Sequence, residues 1–115
     1  MFDTEPAAPA RPSRFVVLCT APDQETATRL ARAWVEGRLA ACVNVIDGII
    51  SVYRWEGAVQ EDREVLLVAK TDAAHLDQLI ANIEADHPYD CPEAIALPIA
   101  AGAEPYLEWI GAALA

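Results

Sequence analysis

Residues 40–70 read AACVNVIDGIISVYRWEGAVQEDREVLLVAK, and how this stretch folds decides the architecture. Its first half is rich in Val and Ile, which suits a strand. Gly48 marks the place where a bend or bulge is expected. Trp55-Glu56-Gly57-Ala58 reads as a turn, and Val59 to Lys70 as a returning strand. The return begins charged, Gln60-Glu61-Asp62-Arg63-Glu64, and ends apolar, Val65-Leu66-Leu67-Val68-Ala69. The base of the hairpin is therefore expected to be buried and its tip to extend beyond the core. A strand of about 14 residues spans roughly 46 Å at about 3.3 Å per residue. A compact domain of about 100 residues has a radius of gyration near ~13 Å. A bare projecting edge carrying Ile49, Ile50, Val52, Tyr53 and Trp55 invites aggregation. Closed symmetric assembly by strand addition is the expected remedy. The alternative is that Gly48 folds the hairpin back over its own sheet.

Upstream, Phe15-Val16-Val17-Leu18-Cys19-Thr20 is a nearly continuous apolar run, the composition of a buried central strand. Ala21-Pro22-Asp23 ends it, and Asp23 is placed to cap a helix. Over residues 24–36, Ala27, Leu30, Ala31, Trp34 and Val35 recur at helical spacing and predict one apolar stripe. Gly37 follows as the residue expected just past the helix end. Residues 1–14, MFDTEPAAPARPSR, hold three of the eight prolines and read as a flexible arm before one folded domain over 15–115.

Downstream, Thr71 or Asp72 is expected to cap a second helix with Leu76, Leu79, Ile80 and Ile83 on its buried stripe. His75 is expected to face solvent in its first turn. Asp86-His87-Pro88 ends that helix, because a residue before proline avoids helical angles. Residues 94–100, AIALPIA, read as a last strand, at an edge because Pro98 cannot donate to a ladder. After Gly102 a final helix over 103–113 is expected, with Pro105 in its first turn and Tyr106, Leu107, Ile110 and Leu114 on its apolar side. The order is an α+β pattern, the ferredoxin-like βαββαβ motif with an added C-terminal helix. It places both main helices on one face of the sheet. Strand 1 then lies between strands 3 and 4, and strand 2 at an edge.

The 115 residues suffice for one domain, and 54% hydrophobic composition excludes general disorder. No apolar run approaches the roughly 18–20 residues of a membrane span. Asp and Glu number 18 against 8 Lys and Arg, a formal net charge of −10. No two basic residues are adjacent, so binding to nucleic acid or to anionic membrane by charge neutralisation is not expected. The acidity either serves solubility alone or attracts cations. Cys19, Cys42 and Cys91 form an odd set without CxxC, which suits free thiols in a reducing cytoplasm. There is no GxSxG, HExxH, P-loop or GxGxxG, and an enzyme is not expected.

Five segments, in order, carry a resemblance: CTAPDQETATRLA (19–31), GRLAACVN (37–44), SVYRWEGAVQEDREVLLVAKT (51–71), HPYDCPE (87–93) and GAEPYLEWI (102–110). Together they resemble the CutA divalent-cation tolerance family over nearly all of residues 15–112. The resemblance implies a ferredoxin-like subunit in a tight homotrimer paired through the long hairpin. It also implies a link to divalent-metal tolerance, with copper binding. The family's metal positions fall on Cys19, Asp86 and His87. At Asp86 an acidic residue replaces the family's first histidine, so the set also suits zinc or a harder divalent ion. Ala103 stands where the family commonly has a polar helix cap.

Each candidate has a packing alternative. Cys19, at the end of a buried strand, is either a small core residue or a metal or redox thiol. Cys42 reads as packing, since strand 3 separates it from Cys19. In His87-Pro88-Tyr89-Asp90-Cys91-Pro92 the thiol has Asp86, Asp90 and Glu93 nearby as a possible metal clip. Tyr53, Trp55, Glu56 and Lys70 line an inter-subunit cleft or simply pack an interface. Three functions remain open. They are a cytoplasmic divalent-metal-binding trimer of metal tolerance, a signalling or small-molecule-binding trimer like the nitrogen-regulatory PII proteins, and a structural or anchoring trimer.

Overall fold

In the computed structural model, which describes residues 12–115, the hairpin is formed by β2 (Cys42–Trp55) and β3 (Ala58–Asp72). The turn residues Glu56 and Gly57 have φ of 50° and 80°. Two successive positive φ angles make the tight turn whose twist matches antiparallel strands. Ladder pairing runs from Cys42↔Lys70 to Trp55↔Ala58, with one register shift between Ile46 and Ile49. Gly48 sits in that shift at φ 82°, so the expected bulge is present and the hairpin is not folded back. The described residues extend 63 × 34 × 24 Å with a radius of gyration of 16.9 Å. That exceeds the ~13 Å of a compact domain of this size, and the projecting hairpin accounts for the difference.

The bulge has a consequence for every side chain beyond it. Before it, Cys42, Asn44 and Ile46 pair with Lys70, Val68 and Leu66. After it, Ile49, Ser51 and Tyr53 pair with Glu64, Asp62 and Gln60. Paired residues share a sheet face, so the extra residue moves β2 from its even-numbered to its odd-numbered side chains on that face.

The other elements are β1 (Arg14–Ala21), α1 (Gln24–Glu36), α2 (Leu76–Asp86), β4 (Ile95–Pro98) and α3 (Glu104–Leu114). All strand pairs are antiparallel in the order β2-β3-β1-β4, as expected, with Pro98 on edge strand β4. One face presents Val17, Cys19 and Ala21 of β1 and Val65, Leu67 and Ala69 of β3. They form the core with Leu30 and Trp34 of α1 and Leu79 and Ile83 of α2. Trp34 Nε1 donates to Asn82 Oδ1 at 3.0 Å, which satisfies the indole and ties the two helices together. Arg14 Nε donates to the Leu107 carbonyl at 2.8 Å, tying α3 to the start of the sheet. Thus Arg14 is already in β1, while residues 1–11 of the proposed arm lie outside the described residues.

Several local expectations change. Asp23 does cap α1, its Oδ1 accepting from Thr26 N at 2.7 Å. Val35 is 42% exposed and drops off the buried stripe, leaving Ala27, Leu30, Ala31 and Trp34. Gly37 has φ −82°, and the left-handed residue is Arg38 at φ 58°. Glycine at 37 answers to space, since a Cβ there would lie 3.1 Å from the Ala33 carbonyl oxygen. Neither Thr71 nor Asp72 occupies the N-cap of α2. That residue is His75, held by Asp72 Oδ1, which accepts from His75 N at 3.0 Å and contacts Nδ1 at 2.7 Å. Thr71 is buried and its hydroxyl donates to the Leu39 carbonyl at 2.7 Å. On α3 only Ile110 and Leu114 are buried, while Tyr106 is exposed.

A Cβ at Gly48 would meet no atom within 4 Å, so Gly48→Ala tests backbone conformation alone. Forcing an L-residue there should cost about 1–2 kcal/mol. Leu79→Ala, in the core, should cost about 2–5 kcal/mol. Urea unfolding at one fixed protein concentration checks both. An unchanged midpoint for Gly48→Ala would show that the bulge does not require the left-handed residue.

Candidate functional site

The C-terminal end of β1 brings two of the three metal candidates to one atom. Cys19 is fully buried, and its Sγ–H donates to the Thr20 carbonyl at 3.7 Å. His87, the C-cap of α2, is 7% exposed. Its Nδ1 accepts from Tyr89 N–H at 3.1 Å, so the ring proton sits on Nε2. That Nε2–H donates to the same Thr20 carbonyl at 2.7 Å. The imidazole is thus a strut between the 87–89 turn and β1, with both nitrogens engaged.

Asp86 is exposed, and its Oδ2 accepts from Asn82 Nδ2 at 3.0 Å, one helical turn back. Burial, and then the charges of Glu93 and Glu64, push the Cys19 thiol up to about 12. A thiol that keeps its proton is a poor ligand, because metals bind the thiolate. Among the described residues, no three His, Cys, Asp or Glu side chains are placed to hold one metal ion. The structure thus brings Cys19 and His87 together at Thr20 and leaves Asp86 turned to Asn82. Cys42 is half-buried on β2, separated from Cys19 by β3, and Cys91 is exposed.

Beside this strut lies a cleft of about 700 Å³ between the projecting hairpin and the loop of residues 88–93. Ser51, Val52, Tyr53 and Trp55 line it from β2, and the bulge has put the odd-numbered ones on the face of Glu64. Glu64 faces them from β3, and Tyr89, Asp90, Cys91 and Glu93 close the other wall. Glu64 is only 9% exposed, and Tyr89 Oη donates to its Oε2 at 2.7 Å. The Tyr53 hydroxyl donates likewise to Asp62. Burial, followed by the Glu64 bond and charge, raises the Tyr89 phenol above its ordinary range. The bond to Asp62 is the leading cause of the same shift in Tyr53. Both phenols therefore remain protonated donors.

Of the four residues expected at a cleft, Tyr53 and Trp55 line this one. Glu56 is in the turn at the hairpin tip, and Lys70 is at its base, donating to Asn44 Oδ1. Twelve ladder steps from Ala58 to Lys70 place it roughly 40 Å from the tip. No sequence pattern marks Glu64. It reads as one more charge in a charged run, and only the Tyr89 contact and the end of β1 explain its burial.

The comparisons with known proteins agree with this frame. The family model of the CutA1 divalent ion tolerance protein matches residues 15–113. The chain belongs to the CutA1 divalent ion tolerance family. It is 50% identical over 95 residues to the divalent-cation tolerance protein CutA of Thermus thermophilus, covering 83% of this chain and 92% of that one. It is also 50% identical over 96 residues to the chloroplastic protein CutA of Arabidopsis thaliana, covering 84% of this chain and 53% of that protein. The crystal structure of CutA from Xylella fastidiosa superposes with a TM-score of 0.86 at 38% identity, covering 89% of this chain and 98% of that one. The CutA family is named for tolerance to divalent ions, and no helix of the described residues is long and apolar enough to cross a membrane.

Two measurements follow from the thiols. At about pH 8 the thiolate fraction of Cys19 is about 10⁻⁴ for a value of about 12. Iodoacetamide should therefore modify exposed Cys91 first and Cys19 only as the chain unfolds; early modification at Cys19 on peptide mapping would contradict the geometry. The folded-state value of Cys19 lies above the ordinary 9.0. Its contribution to stability is full below that value and is lost as pH rises toward about 12. Denaturation midpoints should fall above about pH 9, and Cys19→Ala should flatten the first part of that fall. An identical slope in the variant would refute the assignment.

Proposed function

We propose that this CutA-family chain works as a cytoplasmic, non-enzymatic homotrimer of ferredoxin-like subunits that binds divalent metal ions and contributes to metal tolerance. The observation that carries the metal reading is the meeting of the Cys19 thiol and His87 imidazole at the Thr20 carbonyl. Thiolate and imidazole together suit copper or zinc. Capture there requires Cys19 to lose its proton and His87 to release Thr20, with Asp86 turning from Asn82 as a third donor. The metal is cargo, and its uptake should rise with pH. The acidic excess, 18 residues against 8, supplies a long-range attraction for cations.

The trimer is supported by apolar surface with nothing to cover it in one chain. Ile50, Val52 and Val59 are exposed on the projecting hairpin, and Ile46, Ile95 and Leu97 on the sheet face opposite the core. Exposed apolar side chains in this number mark an interface. Light scattering should give a mass near 37 kDa, about three times 12.4 kDa, and a monomer would remove the assembly reading.

Titration of the reduced protein with copper(II) and zinc tests the metal. Cys19→Ala and His87→Ala should each weaken uptake by about tenfold or more. Equal affinity in both variants would reject the ligand set. A second reading, a PII-like trimer that binds a small molecule, is favoured by the cleft, whose volume falls within the ~300–1,000 Å³ common for such sites. A trimer that takes up neither metal nor small molecule would instead be the structural or anchoring form.

A further inference from the structure

We propose that the two faces of the projecting hairpin bind one another between copies of this chain. The aliphatic, arginine-bearing face of one copy seats on the acidic, aromatic face of the next. The inference rests on the homotrimer reading and names the contact that closes the ring.

The register past the bulge sorts the side chains by charge. Tyr53 and Trp55 share one face with Asp62 and Glu64. Asp90 and Glu93 add acid to it from across the cleft. On the other face Ile50, Val52 and Arg54 pair with Arg63, Glu61 and Val59. Ile50, Val52, Val59 and both arginines are exposed there, and Glu61 is the one acid among them. The bulge makes this division. Without it Arg54 would share a face with Asp62 and Glu64, where guanidinium and carboxylate could pair within one chain. As folded they stand on opposite sides of the ribbon, and among the described residues neither Arg54 nor Arg63 forms a salt bridge.

Faces this different select the symmetry of assembly. In a two-fold contact one patch meets itself. Carboxylates would then face carboxylates, or arginines would face arginines, and such like-charge juxtaposition opposes binding. A head-to-tail contact sets unlike faces together and closes into a ring when its rotation allows. Arginine also stacks on aromatic rings. Tyr53 and Trp55, 40% and 47% exposed, therefore offer the guanidinium groups a second kind of partner. The same contact covers Ile50, Val52 and Val59, so a second copy answers charge and apolar surface together.

The test is charge reversal on the two faces of the full-length chain, with assembly read by sedimentation through a urea series at one protein concentration. Arg63→Glu and Asp62→Arg, both at exposed positions, should each weaken assembly about tenfold or more and lower the urea midpoint of dissociation. A chain carrying both changes restores unlike charge in every head-to-tail contact, and it should recover about half or more of the loss. A same-face contact keeps like against like in that double variant and gives no recovery. An unchanged midpoint in both single variants overturns the contact and leaves the homotrimer standing, and so does a loss that the double variant does not recover. A monomeric parent chain overturns both.

Discussion

The backbone ladder between β2 and β3 continues far past the last residue that the helices cover, and the rest of the structure depends on that continuation. At its base the ladder is part of an ordinary two-layer core, with Leu67 and Ala69 buried under α1 and α2. At its tip the same ladder has solvent on both faces, and main-chain bonds plus cross-strand pairs hold it. An isolated two-stranded ribbon is only marginally stable in water. Its apolar side chains, Ile50, Val52 and Val59, gain nothing from exposure. A chain that maintains such a ribbon is built to have it covered.

The bulge at Gly48 couples this extension to the cleft. Without the inserted residue, the period of two would carry Ile50, Val52 and Arg54 onto the face of Glu64 and Asp62, and Tyr53 and Trp55 would point away. One left-handed glycine thus decides that Tyr53 and Trp55 share the face of Glu64 and Asp62. The cleft also depends on the His87 strut, because the turn that carries Tyr89 is anchored to the end of β1 through Thr20. The site is therefore a joint product of a strand irregularity and a helix end, and neither element contains it.

The elements and the sheet order were legible because they rest on periodicities that the core enforces. Ala27, Leu30 and Trp34 pack at helical spacing, and Pro98 keeps β4 at an edge. The misses lie where local polarity and tertiary position disagree. Val35 reads as apolar stripe but is exposed, and His75 reads as a solvent-facing residue but is half-buried and bound by Asp72. Glu64 ends a run of charge that begins at Glu61, and only the fold shows that its neighbour across space is Tyr89. The site was legible in part for the same reason. Sequence marks Tyr53 and Trp55 as conspicuous on a strand, but it cannot say that a loop 35 residues further on closes over them. Nor does it reveal that His87 spends both ring nitrogens on backbone atoms.

That use of His87 sets a thiol and an imidazole on one carbonyl. The Thr20 carbonyl accepts from both, and each donor occupies one of its two lone pairs. Displacing either leaves a buried polar group unsatisfied, at about 1–3 kcal/mol. Metal capture there therefore competes with a packing arrangement that also holds the Tyr89 turn. Occupying the thiol and imidazole loosens the wall that presents Tyr89 to Glu64. The Cys19–His87 meeting and the Tyr89–Glu64 contact share one carbonyl strut, so displacing either donor from Thr20 is physically opposed to order in the cleft wall.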